Sequence, residues 1–509
     1  MIALIATDLI PISLALLYVL FWLGILEFIG RMEYVSKSNA RKMLHIALGN
    51  ILFILPLFSD KLIATLIPFV FIPVNYLMSP LSPIKKLQMD TFEAGHSWGT
   101  ILYALSLTIV VWFGFDHPFF LIVAFFPLSY GDGLAAFIGS NVKSYTFELY
   151  SGTKSLLGTW SFIWATFLSI IGGLYIYKAM GLIDISIEVI LVSAIIFAII
   201  GVVIELLSPK GMDNLFIPII SLGIAMIGES MITELAANLY INTFIWGFII
   251  AGFFAVIGIV GKFLTWDGSL AGFFIGILIM GVGNWTLGAG LLTFFIVGSL
   301  ATKLNNKSQK EVSFEKGSSQ RDSMQALAKA GFASFVAFLT LFYPNNLIIL
   351  IIVIAALGSA LADTMGTEIG IFSKSTPRYV LKPWKILTKG ESGAISVIGT
   401  LTSLVTAILY IVFLFGLSLL DPSLHESLPL SFLVIVPVAA VIGMLLDSVL
   451  GVKLQEQFIC PVCQSKVETK IHCDKETKKF SGYSLFNNDM VNFTATSLGG
   501  IIAGIIFLI

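Results

Sequence analysis

The chain has 509 residues, 57% of them from the apolar set AVILMFWYC and 12% charged, with 42 Phe and a mean hydropathy of +0.97. Ordinary soluble domains carry roughly 25% charged residues, so a soluble enzyme, a disordered scaffold and a nucleic-acid binder are excluded. What remains is an all-α, polytopic integral membrane protein. The 29 basic and 30 acidic residues nearly cancel, and the electrostatic information lies in where charge falls along the chain.

A spanning helix needs about 20 mostly apolar residues. Apolar runs give sixteen candidate spans, near 8–30, 43–58, 62–79, 97–115, 118–139, 156–177, 186–207, 215–236, 241–261, 268–284, 286–302, 326–342, 347–366, 394–420, 429–450 and 491–509. The first run lacks a basic leader region and a small-residue cleavage site, and is read as a span. Lys and Arg collect in cytoplasmic loops. With the amino terminus outside, those loops are 31–42, 80–96, 140–155, 208–214, 262–267, 303–325, 367–393 and 451–490. Counting Lys329 with the loop it adjoins, only Lys61 and Lys178 of the 29 basic residues fall elsewhere. A miscount by one span would scramble this pattern.

The spans divide into two eight-helix halves near residue 240, which are expected to be domains 1–240 and 241–509. The halves echo each other locally. Asp132 and Asp363 are each followed by Ile-Gly six and seven residues later, and Ile200-Gly201 precedes Glu205 as Ile442-Gly443 precedes Asp447. Parallel repeats of this kind are a known way to build membrane folds.

A carboxylate inside a span costs several kcal/mol and usually marks a functional or paired site. Asp132 lies about 10 Å from the cytoplasmic end of its span at helical rise, and Glu205, Asp363 and Asp447 lie within about one turn of theirs. The adjoining loops carry complementary charge. Arg41-Lys42-x-x-His45 leads into the second span, and Ser151-Gly152-Thr153-Lys154-Ser155-x-x-Gly158 leads into the sixth. Backbone N–H groups at a helix start, with Lys and Ser beside them, suit phosphate. The glycine spacing is not that of a Walker loop. Beside an acid able to hold Mg²⁺, these clusters point to nucleotide phosphates at the cytoplasmic face.

Residues 20–240 resemble the dolichol kinase and phytol kinase family, relatives of the phosphatidate cytidylyltransferases. The matching motifs, in order, are Arg41-Lys42-x-x-His45, Trp98-Gly99-Thr100-x-x-Tyr103, Gly131-Asp132-x-x-Ala135-x-x-x-Gly139, Lys154-Ser155-x-x-Gly158, and Glu205-x-x-x-Pro209-x-Gly211-x-Asp213-Asn214 with Pro218. The resemblance implies phosphorylation of a long-chain isoprenoid alcohol with CTP and a divalent metal. In that role Asp132, with Glu205 or Asp213, would hold Mg²⁺. Arg41, Lys42 and Lys154 would neutralise phosphate charge, His45 or an acid would orient or deprotonate the prenol hydroxyl, and Ser155, Gly158, Asp213 and Asn214 would lie along the nucleotide.

Residues 241–509 resemble a second membrane family, one that includes the plant phytyl-phosphate kinase. The matches are Asp267-Gly268 with Ala271, Gly358-Ser359-x-x-Ala362-Asp363-Thr364-x-x-Thr367-Glu368-x-Gly370, Pro377-Arg378, Gly390-x-x-Gly393-x-x-Ser396-x-x-Gly399-Thr400, Gly443-x-x-x-Asp447-Ser448, and Asn488-Asp489-x-Val491-Asn492. This likeness implies that Glu368, Asp447 and Asp363 are the metal side of a site for a prenyl phosphate. Arg378, Lys382, Lys385, Lys389 and Gly390 would be its phosphate loop, with Asn488 and Asn492 beside it. One family makes the prenyl monophosphate that the other uses, so a fusion implies consecutive steps.

Two features stand outside this reading. Cys460-x-x-Cys463 with His472-Cys473 has the ligand types of a tetrahedral Zn²⁺ site in the 451–490 loop, although adjacent His and Cys side chains are expected to diverge. The pairs Phe119-Phe120 and Phe125-Phe126 read as lipid-facing bulk. A cytidylyltransferase acting on a lipid phosphate and a lipid transporter or flippase are the competing functions. The cytoplasmic placement of the acids, away from the bilayer midplane, argues against transport.

Overall fold

The computed structural model describes residues 7–88, 98–149, 152–209, 211–308, 320–373, 376–387, 393–419, 428–463, 466–467, 471–473, 475–484 and 486–509. Among them, fifteen helices are long and apolar enough to cross a membrane, and a shorter apolar one, Gly99–Gly114, stands at the fourth expected position. All sixteen expected spans are helical, and the chain is a polytopic helical membrane protein. It divides into two compact units, Met1–Ala237 and Asn238–Ile509.

The first unit contains α1 (Leu9–Arg31), α2 (Lys37–Gly49), α3 (Lys61–Met78), α4 (Gly99–Gly114), α5 (Pro118–Phe126), α6 (Gly133–Asn141), α7 (Leu156–Ala179), α8 (Ile187–Leu207) and α9 (Asp213–Ala237). A π-helical stretch, Pro127–Asp132, joins α5 to α6. Pro127 has no amide hydrogen for the ordinary i→i−4 bond, and the chain widens there into the wider turn that often marks functional sites. Strands β1 (Thr146–Leu149) and β2 (Gly152–Ser155) form an antiparallel hairpin with Thr146 opposite Ser155. Outward apolar side chains on α1, Leu17 and Phe21 among them, are what a lipid-facing helix needs.

Helix α5 is apolar on every side, and Phe119 through Phe126 are all buried, with α4, α7, α8 and α9 packed around it. The expectation that Phe119, Phe120, Phe125 and Phe126 face lipid is therefore corrected. A helix hydrophobic all round sits inside a large core, and these rings fill the centre of the unit.

The second unit contains α10 (Ile241–Val260), α11 (Trp266–Gly276), a π-helical stretch Ile277–Gly283, α12 (Trp285–Ser308), α13 (Ser323–Phe338), α14 (Leu347–Gly370), α15 (Val397–Ser418), α16 (Phe432–Lys453) and α17 (Asn488–Leu508). Its central element is α14, buried almost continuously from Ile349 to Ala362 and packed by α12, α13, α15, α16 and α17. Between α14 and α15 lie β3 (Arg378–Tyr379), β4 (Lys382–Ile386) and β5 (Ala394–Ile395), in the order β4-β3-β5. Between α16 and α17 lie β6 (Gln457–Ile459), β7 (Lys466–Val467), β8 (Ile471–His472), β9 (Lys475–Glu476) and β10 (Lys478–Ser481), as a β10-β6-β7 sheet and a β8-β9 hairpin.

In each unit the helix after the strands starts the same way. Ser155 caps α7 by accepting the Gly158 N–H at 3.1 Å, and Ser396 caps α15 by accepting the Gly399 N–H at 3.0 Å. Gly158 then crosses Gly139 of α6, and Gly399 crosses Gly370 of α14, each at 3.4 Å between a Cα and the place a Cβ would occupy. A Cβ at position 158 would also come within 2.7 Å of the capping Ser155 Oγ and 3.1 Å of the Ala135 carbonyl. Gly158→Val should destabilise the protein by about 1–3 kcal/mol through overpacking, read as a lower detergent melting temperature, and Gly158→Ala should lose less.

Candidate active site

Helix α2 begins at the Ser36 cap, whose side chain accepts the Asn39 N–H. This start places Arg41, Lys42 and His45 within the first three turns, with Arg41 and His45 one turn apart on one face. Lys42 Nζ donates to Asp132 Oδ2 at 2.8 Å, and both side chains are nearly buried. His45 Nδ1 is 3.7 Å from the same oxygen, too long for a hydrogen bond. Neither ring nitrogen of His45 has a hydrogen-bond partner among the described residues, and neither does the buried Arg41 Nη1.

Asp132 is held by its neighbours. A Cβ at Gly131 would fall 2.4 Å from Thr166 Oγ1, and one at Gly133 would fall 2.6 Å from the Ile46 side chain. Glycines on both sides thus let the backbone bearing the acid press against α7 and α2. Tyr103, a motif residue with no role assigned from sequence, supports the histidine. Its ring lies 4.4 Å from that of His45, its hydroxyl donates to the His45 carbonyl oxygen at 2.9 Å, and Ser129 Oγ is 3.3 Å away. The hydroxyl holds the backbone and leaves the imidazole nitrogens open.

Lys154, on β2, forms an ion pair with Glu205 near the end of α8. Burial disfavours its charged form, but Glu205 together with nearby Asp132 and Asp213 outweighs burial and the lysine pKa is raised, so the ammonium persists across physiological pH. The charges of Asp132, Lys42 and Lys154 all act on Asp213 at the start of α9. Next to it, buried Asn214 donates from Nδ2 to the Gly99 carbonyl at 3.0 Å, tying α9 to α4. The motifs of the first unit therefore meet at one end of its helices. Ser155 and Gly158 have structural work there as cap and helix crossing.

An apolar cavity opens beside this cluster, walled by Val19 and Leu23 of α1, Leu48 of α2, Ile67 and Phe71 of α3, and Ala104 and Leu107 of α4. Arg41, His45, Asn75, Thr100 and Tyr103 are its polar lining. One end is chemically wet and the rest is hydrocarbon, the arrangement an amphiphile with a small head would fill.

In the second unit Lys329 of α13 donates to Asp363 Oδ2 at 2.5 Å. Sequence reasoning had left Lys329 among the loop cations. Its signal was position, a lone cation one turn inside an alanine-rich span. Asp267 is buried and accepts from Thr265 Oγ1 at 2.8 Å and the Ser323 N–H at 3.0 Å, which joins α11 to the start of α13. Glu368 and Asp447 are part-buried near the ends of α14 and α16. Asp489 and Asn492 are buried on the first turns of α17, and Asn492 Nδ2 donates to the Asn488 carbonyl at 2.9 Å. Arg378 is exposed on β3, and Lys385 Nζ lies 5.8 Å from the centre of the Tyr379 ring. Lys389 and Gly390 lie outside the described residues.

Among the described residues, the acids assigned to metal do not converge as groups of three. The group that does is Cys460, Cys463, His472 and Cys473. The expected divergence of His472 and Cys473 is corrected. Cys473 adopts a left-handed backbone with φ of 51°, which folds its side chain back beside that of His472.

Asp132→Asn would leave the Lys42 ammonium without its carboxylate in a nearly buried place. The detergent melting temperature should fall, and the double variant with Lys42→Met should recover part of that loss.

Comparison with known proteins finds relatives of the chain in sequence. Residues 249–500 match the family described as integral membrane protein DUF92. The chain is 28% identical over 263 residues to Protein PGR of Arabidopsis thaliana, covering 48% of this chain and 89% of that one. It is 29% identical over 207 residues to a phytol kinase of Synechocystis, covering 40% of this chain and 84% of that one. A membrane protein of Methanocaldococcus jannaschii is 26% identical over 217 residues, 43% of this chain and 74% of its own. No solved structure gives a significant match. These relatives are matched over most of their own length by less than half of this chain, as befits a chain of two compact units. The likeness read from the motifs is borne out, and the chain is a polytopic membrane protein related through residues 249–500 to the DUF92 integral membrane family and, by a separate match, to phytol kinase.

Proposed function

We propose that the chain phosphorylates a long-chain isoprenoid alcohol of the phytol or geranylgeraniol type in two consecutive steps. In this reading the first unit makes the monophosphate and the second the diphosphate, with CTP or a related nucleotide as donor at the cytoplasmic face. The observation that carries it is that Arg41 and His45 belong both to the charged cluster and to the lining of the apolar cavity, with polar atoms that have no hydrogen-bond partner among the described residues. The similarity to a phytol kinase supports the substrate class.

In the first step the prenol oxygen bonds to the γ-phosphorus of CTP as the bond from that phosphorus to the β,γ-bridging oxygen breaks. CDP leaves and the hydroxyl proton passes to a base. We assign that base to His45, which lines the cavity. Arg41, Lys42 and Lys154 neutralise phosphate charge, and Asp213 and Asn214 lie along the nucleotide. Asp132 and Glu205 are the carboxylates to hold Mg²⁺, an ion usually bound by one or two carboxylates plus substrate phosphates and not by a protein cage. Two acids meet that count, and each would trade its lysine contact for the ion, freeing Lys42 and Lys154 for phosphate. When bound, the ion supplies charge neutralisation for the transferring phosphoryl group.

The second step begins from a phosphate monoester and needs cations more than a strong base. Lys329, Arg378 and the β3–β5 lysines provide them in this reading. Asp363, Glu368 and Asp447 are the metal side, and Asn488 and Asn492 lie at the adjoining helix start.

Purified protein given labelled CTP and geranylgeraniol should release CDP and make mono- and diphosphate. Pyrophosphate release would indicate a cytidylyltransferase, and lipid flux without nucleotide turnover a transporter. Asp132→Asn should lose both products, with added prenyl monophosphate restoring diphosphate synthesis, whereas Glu368→Gln should accumulate monophosphate. Ala104→Trp, which fills the cavity, should raise the prenol KM roughly tenfold or more while leaving the CTP KM near its original value.

A further inference from the structure

We propose that the strand-rich segment between α16 and α17 is a zinc ribbon, binding one structural Zn²⁺ through Cys460, Cys463, His472 and Cys473. The four ligand atoms, one from each residue, lie within 4.8 Å of one another. Cys460 and Cys463 sit in the turn after β6, and His472 and Cys473 sit where β8 turns toward β9. Two turns thus offer two ligands each, the usual way a ribbon holds zinc.

Three local details fit a metal better than incidental thiols. The Val462 N–H points at Cys460 Sγ at 3.4 Å, a donor placed to stabilise thiolate charge. His472 Nδ1 lies 3.6 Å from Cys463 Sγ and 3.2 Å from Cys473 Sγ, so the imidazole faces the sulfur atoms. Cys473 accepts the cost of a positive φ, uncommon for a residue with a Cβ, and that conformation is what brings adjacent ligands together.

The segment has little else to fold around. Phe458, Cys460 and Val467 are its buried apolar residues among those described, while Lys475, Lys478 and Lys479 are exposed. So small a core seldom holds strands in place without a metal or disulfide. Three thiolates with Zn²⁺ carry one net negative charge, which the exposed Lys475 and Lys478 suit, Lys479 being paired with Glu456 at 2.9 Å. Four protein ligands leave no open position, so the ion is structural. All-sulfur-and-imidazole ligation with tetrahedral closure favours zinc over the hard cations of phosphoryl transfer.

The ribbon also bridges two helix ends. The Tyr483 N–H donates to the Leu454 carbonyl at 3.0 Å, and the Glu456 N–H donates to the Phe486 carbonyl at 2.8 Å. Gly482, with φ of 82°, lies against the Gln455 backbone, where a Cβ would come within 1.9 Å of the carbonyl oxygen. The metal therefore fixes the link between the helix that carries Asp447 and the one that begins at Asn488.

The test is metal analysis of full-length protein purified in detergent without chelator. About one zinc per chain is expected, with release on titration with an organomercurial. Cys460→Ser and His472→Ala should each lower zinc below about 0.2 per chain and open the 454–486 segment to protease while the rest of the chain stays intact. If Cys460→Ser fails to fold, Cys463→Ser at the exposed ligand gives the same readout. Zinc near zero in protein from zinc-supplemented cells, iron in its place, a Cys460–Cys463 disulfide found by mass spectrometry, or zinc retained in the Cys463→Ser/Cys473→Ser double variant would each overturn the proposal.

Discussion

A carboxylate within a spanning helix is the constraint around which each unit is arranged. Such a group costs several kcal/mol in hydrocarbon unless it is partnered, and here the partner comes from a different helix. Lys42 meets Asp132 and Lys329 meets Asp363. In both units the acid stands on the most buried span, α5–α6 or α14, and the lysine stands near the start of a neighbouring helix. The pair therefore does two jobs: it makes the acid tolerable in the bilayer, and it fixes where one end of the central helix sits against the rest of the unit.

The same frame recurs downstream of each acid. Seven residues after Asp132 and after Asp363 comes the glycine of the helix crossing, followed by short antiparallel strands. A serine cap then leads into the next helix, whose third residue is the other glycine. A close glycine crossing lets backbones approach within van der Waals contact, the usual means of helix association where lipid removes the hydrophobic driving force. The internal order of these parts is equal in the two units, although Lys154 of the first corresponds to an apolar Ile395 in the second. The lysine that pairs with Glu205 in the first unit thus has no lysine at the corresponding place in the second, where Lys329 reaches Asp363 from a differently placed helix.

The spans were legible because length and apolarity decide them, and the loops confirmed the count through their lysines and arginines. What periodicity cannot tell is which apolar helix faces lipid. Phe119, Phe120, Phe125 and Phe126 look like lipid-facing bulk in a chain with 42 Phe, yet the moment that would mark an outer helix is absent because α5 is apolar all round. Arg41, His45, Asp132, Lys154 and Glu205 stand out in the sequence as charged groups in or beside spans, and Asn214 only through the family resemblance. Their pairing does not, since Lys42 and Asp132 are 90 residues apart. Lys329 escaped notice because a cation near a span boundary has an easy explanation in the positive-inside pattern. The expected divergence of adjacent His472 and Cys473 does not occur because Cys473 takes a left-handed backbone, which nothing in the residue type announces.

The cavity of the first unit has walls taken from α1 and α3, helices whose outer faces carry Leu17, Phe21 and Phe69 among their exposed side chains. Its apolar part is thus separated from acyl chains by single helices, while its polar end lies beside the charged cluster. In the reaction proposed above, a prenol bound there would be drawn from the bilayer, not from water, so its occupancy would follow mole fraction in the lipid phase. Diluting it with inert lipid at constant total amount empties the cavity, as surface-dilution kinetics describe, whereas a water-soluble nucleotide is unaffected by the same dilution. The two substrates of one reaction would then obey different concentration scales, and each Michaelis constant would carry its own unit.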